Sequence, residues 1–318
     1  MKVTDHQKNA KGLTQFTFEI LPPLKGQDVE SIFDAIDPLM EFKPPFIDVT
    51  YHREEHTYVE HENGLLKKRV IRKRPGTVGI CAAIQNRYEV DAIPHILCGG
   101  FSQEDTENFL IDIDFLGIDN VVALRGDSLK SETYFKPSKG GHANAKDLVV
   151  QIKNLNQGQY IDEEILNSTP TDFCVGVAGY PEKHSEAPSL DRDIHFLKEK
   201  IKAGSDYIIT QMFFDNKKFF EFETKCREAG INVPIIPGLK PLATLKQLNL
   251  IPHRFQVDIP QDLTDAVVKA KDNAGVSEIG VEWCINQSKE LKEHGVPFLH
   301  YYSMGKSKNI KKIASALF

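Results

Sequence analysis

Three short stretches of this chain carry side chains whose type and spacing could do chemistry. The first is TQFTFEILPP, residues 14–23. Phe16, Phe18 and Ile20 alternate with Thr17 and Glu19, the period-two pattern of a strand. Pro22-Pro23 ends it, because proline has no N–H to donate and restricts the residue before it. Glu19 therefore stands at the end of a strand, on the face opposite the phenylalanines. A partly buried glutamate with no cation beside it has a raised pKa and can serve as a general acid near neutrality. The second stretch is VVALRGD, residues 121–127. Its apolar residues predict a buried strand, and Arg125-Gly126-Asp127 follows at its end. Gly126 permits close approach of the backbone to a ligand; the plainer alternative is a turn with an internal Arg–Asp pair. The third is GYPEKHSEAPS, residues 179–189, which gathers aromatic, acidic, His and Pro residues into one loop after a strand. Such loops often bind ligands, although this one also leads into a helix at Asp191.

Two further motifs invite functional readings and have simpler ones. HREEH, His52–His56, has two histidines at i and i+4, but Arg53 stands where the zincin pattern needs glutamate and no third ligand is evident. We assign no metal. KKRVIRKR, Lys67–Arg74, reads as the solvated face and C-terminal end of an outer helix, where cations complement the helix dipole.

These residues need elements to hold them. Strands are expected at Gln15–Ile20, Phe46–Tyr51, Thr77–Ala83, Asn120–Leu124, Phe173–Val177, Tyr207–Gln211, Val233–Pro237 and Pro297–Tyr302. Helical stretches lie between most of them. Gln103–Leu116 has Ser102 to cap it, Glu104 and Asp105 in its first turn and Gly117 after its end. Asp191–Ala203, a long helical region Asp262–His294 broken near Gly275, and a tail Lys306–Phe318 are others. Repeated strand–helix units imply parallel strands with helices outside. Eight of them predict an α/β fold of the (β/α)8 TIM barrel type, a single catalytic domain spanning residues 1–318. An open doubly wound sheet is the alternative. No G-x-G-x-x-G dinucleotide fingerprint occurs. Gly126–His142 and Gln157–Thr171 read as inserted loops. In a barrel, Phe16, Phe18 and Ile20 face the helices, while Thr17 and Glu19 point inward with Glu19 at the mouth, where barrel enzymes place their chemistry.

Composition bounds the rest. The 318 residues are 41% hydrophobic and 26% charged, ordinary for a globular chain with a large core. A net charge of −6 argues against a nucleic-acid binder. No run of eighteen apolar residues exists to span a membrane, and the polar N-terminus MKVTDHQKNAKG is no signal peptide. Five scattered cysteines without a C-x-x-C pair fit a reducing cytoplasm.

FEILPP at 18–23, TYHREEH at 50–56, PHILC at 94–98, NVVALRGD at 120–127, GYPEKHSEA at 179–187, ITQMFFD at 209–215 and PIIPGLKPL at 234–242 stand in the order of blocks in the methylenetetrahydrofolate reductases. The chain resembles the compact bacterial type from about Thr14 to Tyr302. The resemblance implies a barrel that holds FAD non-covalently. It implies reduction of 5,10-methylenetetrahydrofolate to 5-methyltetrahydrofolate, with NADH or NADPH as donor in a ping-pong scheme that serves methionine synthesis. A homo-oligomer is implied too.

Carried over by position, Glu19 looks like the family's general acid and Asp127 like the aspartate that meets flavin and pterin. Gln211 and Gln247 look like folate-contacting amides, and Lys306 stands where an arginine near the substrate's carboxylate end is usual. Positions similar to the family's FAD contacts are Thr50, Tyr51, His95, Leu124, Arg125, Gly126, Asp127, Ala145, Tyr180, His184, Ala187, Asp193 and Lys200. Arg125 and Lys200 suit a pyrophosphate by charge. The chain departs from the family at His52, Arg53, Asn144, Phe196, Glu199, Ile251 and Lys306. These departures bear on the adenine end and on donor preference rather than on the central chemistry. A rival enzyme reading is another FAD-binding barrel oxidoreductase of the proline-dehydrogenase type. A rival from another class is a catalytically silent flavin-binding protein, against which the presence of Glu19, Asp127 and Gln211 argues.

Overall fold

In the computed structural model, which describes residues 1–60, 64–129 and 132–318 and gives His56 and Lys68 by backbone alone, the chain alternates strand and helix. The order begins α1 (Val3–Asn9), β1 (Gln15–Ile20), α2 (Glu30–Ile36), a 3-10 helix (Asp37–Phe42), β2 (Phe46–Val49), β3 (Glu55–Glu60), β4 (Leu66–Ile71), α3 (Thr77–Tyr88) and β5 (Asp91–Leu97). It continues α4 (Gln103–Phe115), β6 (Asn120–Leu124), α5 (Ala145–Leu155), β7 (Cys174–Gly179), α6 (Leu190–Lys202), β8 (Tyr207–Thr210) and α7 (Asn216–Glu228). It closes with β9 (Ile235–Ile236), β10 (Gly238–Leu239), α8 (Gln247–Phe255), α9 (Gln261–Val268), α10 (Asn273–His294), β11 (Phe298–Tyr302) and α11 (Ser307–Ser315).

Nine strands pair in parallel in the order β10-β11-β1-β2-β5-β6-β7-β8-β9. The two ends of that order are one stave. β9 pairs with β8, β10 pairs with β11, and only Pro237 separates them. Proline has no N–H for a ladder, but the Pro237 carbonyl still accepts from His300 N–H at 3.1 Å. The sheet thus closes into the (β/α)8 barrel expected from the strand–helix rhythm.

The alternation of β1 sorts its side chains as predicted. Phe16, Phe18 and Ile20 belong to the apolar layer between barrel and helices. The interior has its own cluster, in which Phe46, Ile93, Val122, Cys174, Tyr207, Ile236 and Phe298 form a floor. Val3 of α1 joins that floor, fully buried. Its N–H donates to Asn120 Oδ1 at 2.9 Å, and the Asn120 amide donates back to Met1 O, so α1 closes the lower end of the cylinder. A third cluster holds Met212, Phe214, Leu242, Ile251 and Leu263 and packs α8 to α10 over the loops that leave β8 and β10. Among helix ends, Ser102 caps α4 in a capping box with Asp105, as the sequence indicates, an arrangement that contributes about 1 kcal/mol.

The structure corrects several expected elements. Thr77–Ala83 is the start of helix α3 rather than a strand; a short apolar run does not distinguish a buried strand from a buried helix. The third stave is β5 instead. Pro94 disguises it, yet sits where the ladder to β2 ends, at Val49↔Pro94, and that to β6 begins, at His95↔Val122. KKRVIRKR does not end a helix. Its first residues form β4, paired antiparallel with β3 in a hairpin inserted between β2 and α3. The long region near the C-terminus breaks between Val268 and Asn273 into α9 and α10. All five cysteines are buried and free. No helix among the described residues is long and apolar enough to cross a membrane.

Helix α10 crosses the backbone closely at Gly280, where an added Cβ would lie 2.0 Å from Leu242 O. At Gly275 in the same helix the nearest atom to an added Cβ is Ala270 Cβ at 3.4 Å. Gly280→Ala is expected to destabilise by about 1–3 kcal/mol through overpacking. Gly275→Ala is expected to be neutral or to stabilise by up to about 1 kcal/mol. Urea unfolding of the two variants measures the contrast; equal midpoints would contradict the close approach at Gly280.

Candidate active site

A cavity of about 1080 Å³ opens at the carboxyl ends of the strands, at the upper limit of the roughly 300–1,000 Å³ usual for small-ligand sites. Glu19 lines it from β1, Asp48 from β2, His95 from β5, Asp127 from the loop after β6, Gln211 from the end of β8, and His300 and Tyr302 from β11. Ladder register sets their heights. Glu19 pairs with Asp48 on one side and Tyr302 on the other, and Thr17 pairs with His300. Because side chains alternate along each strand, these groups share the inward face.

The interior above the floor is polar and short of counter-ions. Glu19 Oε2 lies 3.8 Å from His95 Nε2, beyond hydrogen-bond reach. Burial drives the Glu19 carboxyl up to about 8, against a smaller opposing pull from Lys240. Burial takes His95 down to about 3, with His52 adding to the effect, so it faces Glu19 as a neutral ring. Asp48 is fully buried, and burial followed by the nearby Glu19 pushes its carboxyl well above the usual range. His300 Nε2 stands 3.4 Å from Asp48 Oδ2. Burial, then His95, takes His300 down to about 3. On its other side His300 Nδ1 contacts Thr17 Oγ at 3.0 Å, and Thr17 also donates to Leu299 O. The Thr17 hydroxyl thus holds the Nδ1 edge of the ring, and the Nε2 edge faces Asp48. Both Asp48 oxygens, His95 Nε2 and His300 Nε2 lack hydrogen-bond partners among the described residues.

The remaining sequence-derived residues form the cavity wall. Thr50, Tyr51, Leu124, Arg125, Gly126, Ala145, Tyr180, His184, Ala187, Asp193 and Lys200 all line it. Lys200 Nζ donates to Ala178 O at 2.6 Å, and burial lowers it to about 8 against the opposing charge of Asp193. Asp193 Oδ2 accepts from His184 N–H at 2.7 Å, and the His184 ring meets Tyr180 edge-on with centroids 4.8 Å apart. Arg125 holds Glu186 in a two-pronged pair at 2.6 and 2.8 Å. Gly126, at φ +84, takes a backbone form that other residues rarely adopt. Asp127 is the outermost of the set, with its side chain 84% exposed and Arg254 at 4.0 Å.

Two expected substrate contacts lie away from this wall. Gln247 turns its side-chain carbonyl to the N–H groups of Ala243 and Thr244 at the start of α8. Lys306 is exposed at the start of α11. Of the departures from the family pattern, His52, Arg53, Asn144, Phe196 and Glu199 line the cavity, whereas Ile251 is buried in the cluster above β8. Asp48 and His300 line the site and were not singled out from sequence; nor was Lys240, which does not line the cavity but whose charge acts on Glu19. The signal for Asp48 was there: one carboxylate inside the apolar run FIDV. For HREEH, the His56 side chain lies outside the described residues; among those described, no group of three or more His, Cys, Asp or Glu is placed to hold a metal ion.

Residues 2–317 match the family model described as methylenetetrahydrofolate reductase. The chain is 32% identical over 321 residues to methylenetetrahydrofolate reductase (NADH) 1 of Arabidopsis thaliana, covering 97% of this chain and 49% of that protein. It is 30% identical over 302 residues to the 5,10-methylenetetrahydrofolate reductase of Escherichia coli, covering 93% and 88%. The chain thus spans about half the length of the plant and fission-yeast relatives it matches. Among solved structures, an uncharacterized Clostridium thermocellum protein that binds two copies of 5-methyl-5,6,7,8-tetrahydrofolic acid superposes with a TM-score of 0.58 at 15% identity, covering 99% and 97% of the two chains. At that identity the likeness speaks for the fold.

The raised Glu19 acidity constant carries a stability signature. The folded state holds its proton up to about pH 8, whereas an unfolded glutamate loses it near 4.3. Between those values the folded state binds more protons, so this group's contribution to stability falls as pH rises. Glu19→Gln removes that dependence. The variant is expected to gain on the wild type progressively from pH 5 to pH 8, by a few kcal/mol at the upper end. Denaturant unfolding across that range reads it; a pH-independent difference would contradict the burial of an uncompensated carboxyl.

Proposed function

The chain belongs to the methylenetetrahydrofolate reductase family, and we propose that it reduces 5,10-methylenetetrahydrofolate to 5-methyltetrahydrofolate, with NADH or NADPH as the hydride source and FAD as a bound cofactor. The observation that carries this reading is the placing of Glu19. It is a carboxylic acid that keeps its proton at neutral pH, at the mouth of the barrel, on the same cavity wall as Asp127 and Gln211.

The wall residues fit FAD chemically. Arg125 and Lys200 offer charge to a pyrophosphate, Tyr51 and Tyr180 offer flat faces to a ring system, and Gly126, Ala145 and Ala187 leave room beside them. When bound, FAD takes up hydride from the nicotinamide donor and passes it to the folate, one substrate after the other. The chain's own residues do the rest. Glu19 donates its proton to the amine nitrogen of the five-membered folate ring as that ring opens to an N5 iminium, the form that accepts hydride. Asp127 offers two acceptor oxygens to the N–H and amino group of a pterin edge. Gln211 can both donate and accept along the same edge. Burial keeps Glu19 protonated near neutrality against the weaker pull of Lys240, and the neutral rings of His95 and His300 add no further cation. We read the barrel as one catalytic unit of a cytoplasmic enzyme in one-carbon metabolism that feeds methionine synthesis, and as a homo-oligomer.

Glu19→Gln is expected to keep FAD and its bleaching by NADH or NADPH, and to lose nearly all folate reduction, by about 10²–10⁴-fold. Anaerobic stopped-flow on the two half-reactions separates these effects, and equal losses in both would refute the role given to Glu19. Asp127→Asn removes a negative charge beside the ring system and is expected to raise the flavin reduction potential. Spectroelectrochemical titration checks it; an unchanged or lower potential would place Asp127 elsewhere.

A further inference from the structure

Four titratable groups face Glu19, each from a different element: Asp48 from β2, His95 from β5, Tyr302 from β11, and Lys240 from the residue that follows β10. Three of them carry no charge near neutrality. Asp48 and Tyr302 are both held far above their usual ranges, chiefly by burial, and His95 is held far below its own. Lys240 alone is a cation.

Its place follows from the broken stave. Ile236 belongs to the barrel interior and Leu239 to the layer under the helices. Alternation therefore turns Gly238 and Lys240 inward. Gly238 pairs with His300 and Leu239 with Tyr301; the same register carried one residue past the end of β10 brings Lys240 level with Tyr302. Tyr302 in turn is level with Glu19. The lysine thus reaches the height of the acid from two staves away, and no carboxylate is hydrogen-bonded or ion-paired to it among the described residues. The fit is reciprocal: Glu19 is the charge that raises Lys240, opposing the burial that lowers it to about 8.

We propose that Lys240 is a further residue of the active site, whose ammonium group stabilises the carboxylate left on Glu19 when Glu19 gives up its proton. The inference rests on the general-acid reading of Glu19. A glutamate raised by burial alone holds its proton too firmly to be a good donor at neutral pH. A fixed cation opposite it favours the charged form that appears only as the proton leaves, which is where electrostatic stabilisation accelerates a step. No atom is gained or lost beyond that proton. It passes from Glu19 Oε to the substrate amine, and the new carboxylate faces an ammonium that stays protonated. Lys240 acts through Glu19 and is a positioning residue in that sense.

The test titrates Glu19 directly, in the purified protein without folate. Infrared difference spectra against Glu19→Gln isolate the Glu19 carboxylic C=O band, and its loss with pH gives the midpoint. Lys240→Met is expected to raise that midpoint by about one unit, with Lys240→Gln as a second neutral variant should Met disturb folding. Lys240→Arg keeps the cation and is expected to leave the midpoint near that of the wild type. A midpoint that stays put or falls in both neutral variants overturns the inference. In single-turnover folate reduction at pH 7, Lys240→Met is expected to be slower by about tenfold, with reduction by NADH or NADPH unchanged. If the wild type reduces no folate while the infrared midpoint still moves, the Lys240–Glu19 coupling stands and the functional reading falls.

Discussion

Everything in this molecule that bears on chemistry depends on removing ionisable groups from water without giving them counter-ions. Glu19, Asp48, His95 and His300 share one cylinder, and none has an oppositely charged neighbour in hydrogen-bonding contact. A charge in such a place is costly, so each group adopts its neutral form. Asp48 and His300 satisfy this as a facing pair of uncharged groups, with Thr17 holding the Nδ1 edge of the ring. Glu19 differs because it stands higher, where the cavity opens and Lys240 comes level. Of the two carboxyls, burial raises Glu19 only to about 8, whereas Asp48 is pushed well above its usual range.

The barrel produces this arrangement through register. Parallel ladders set residues of neighbouring strands at fixed relative heights, and the inward-facing parity of each strand decides which side chains meet. Glu19 opposite Asp48 and Thr17 opposite His300 are consequences of strand pairing, not of any loop, and Lys240 is the residue that follows the paired stretch of β10. Loops carry the groups that need reach: Arg125 to Asp127 after β6, and Tyr180 to Ala187 after β7. Glu19 is thus built on a strand, while the wall that would hold a large cofactor combines these connections with residues of β5, β6, α5 and α6.

Much of this was legible before any coordinates. The alternation in residues 15–20 told which face of β1 is wet, because a period of two admits only two faces. The capping of α4 and the closing of a barrel followed from local signals. What escaped did so for physical reasons. Thr77–Ala83 is apolar all round, so its period carried no information, and the proline in DAIPHIL masked a strand that tolerates it where its ladders change sides. The basic run at 67–74 reads equally well on a helix or a hairpin, and only its pairing with Glu55–Glu60 decides. The contacts of Gln247 depend on how α8 begins, which family resemblance does not specify. Asp48 stands out only as a lone carboxylate in an apolar run, and Lys240 looks incidental in its segment. They acquire meaning only when strands distant in sequence lie side by side.

The short helix at the amino end packs across one end of the cylinder. Val3 seals the floor, and the Asn120 side chain clasps the backbone on both sides of the plug. The cavity that reaches the inner carboxyls opens at the opposite end, at the carboxyl ends of the strands. Any large molecule seated there doubles as a stopper. On the reading proposed above, reprotonation of Glu19 and exchange of bound molecules would share that opening.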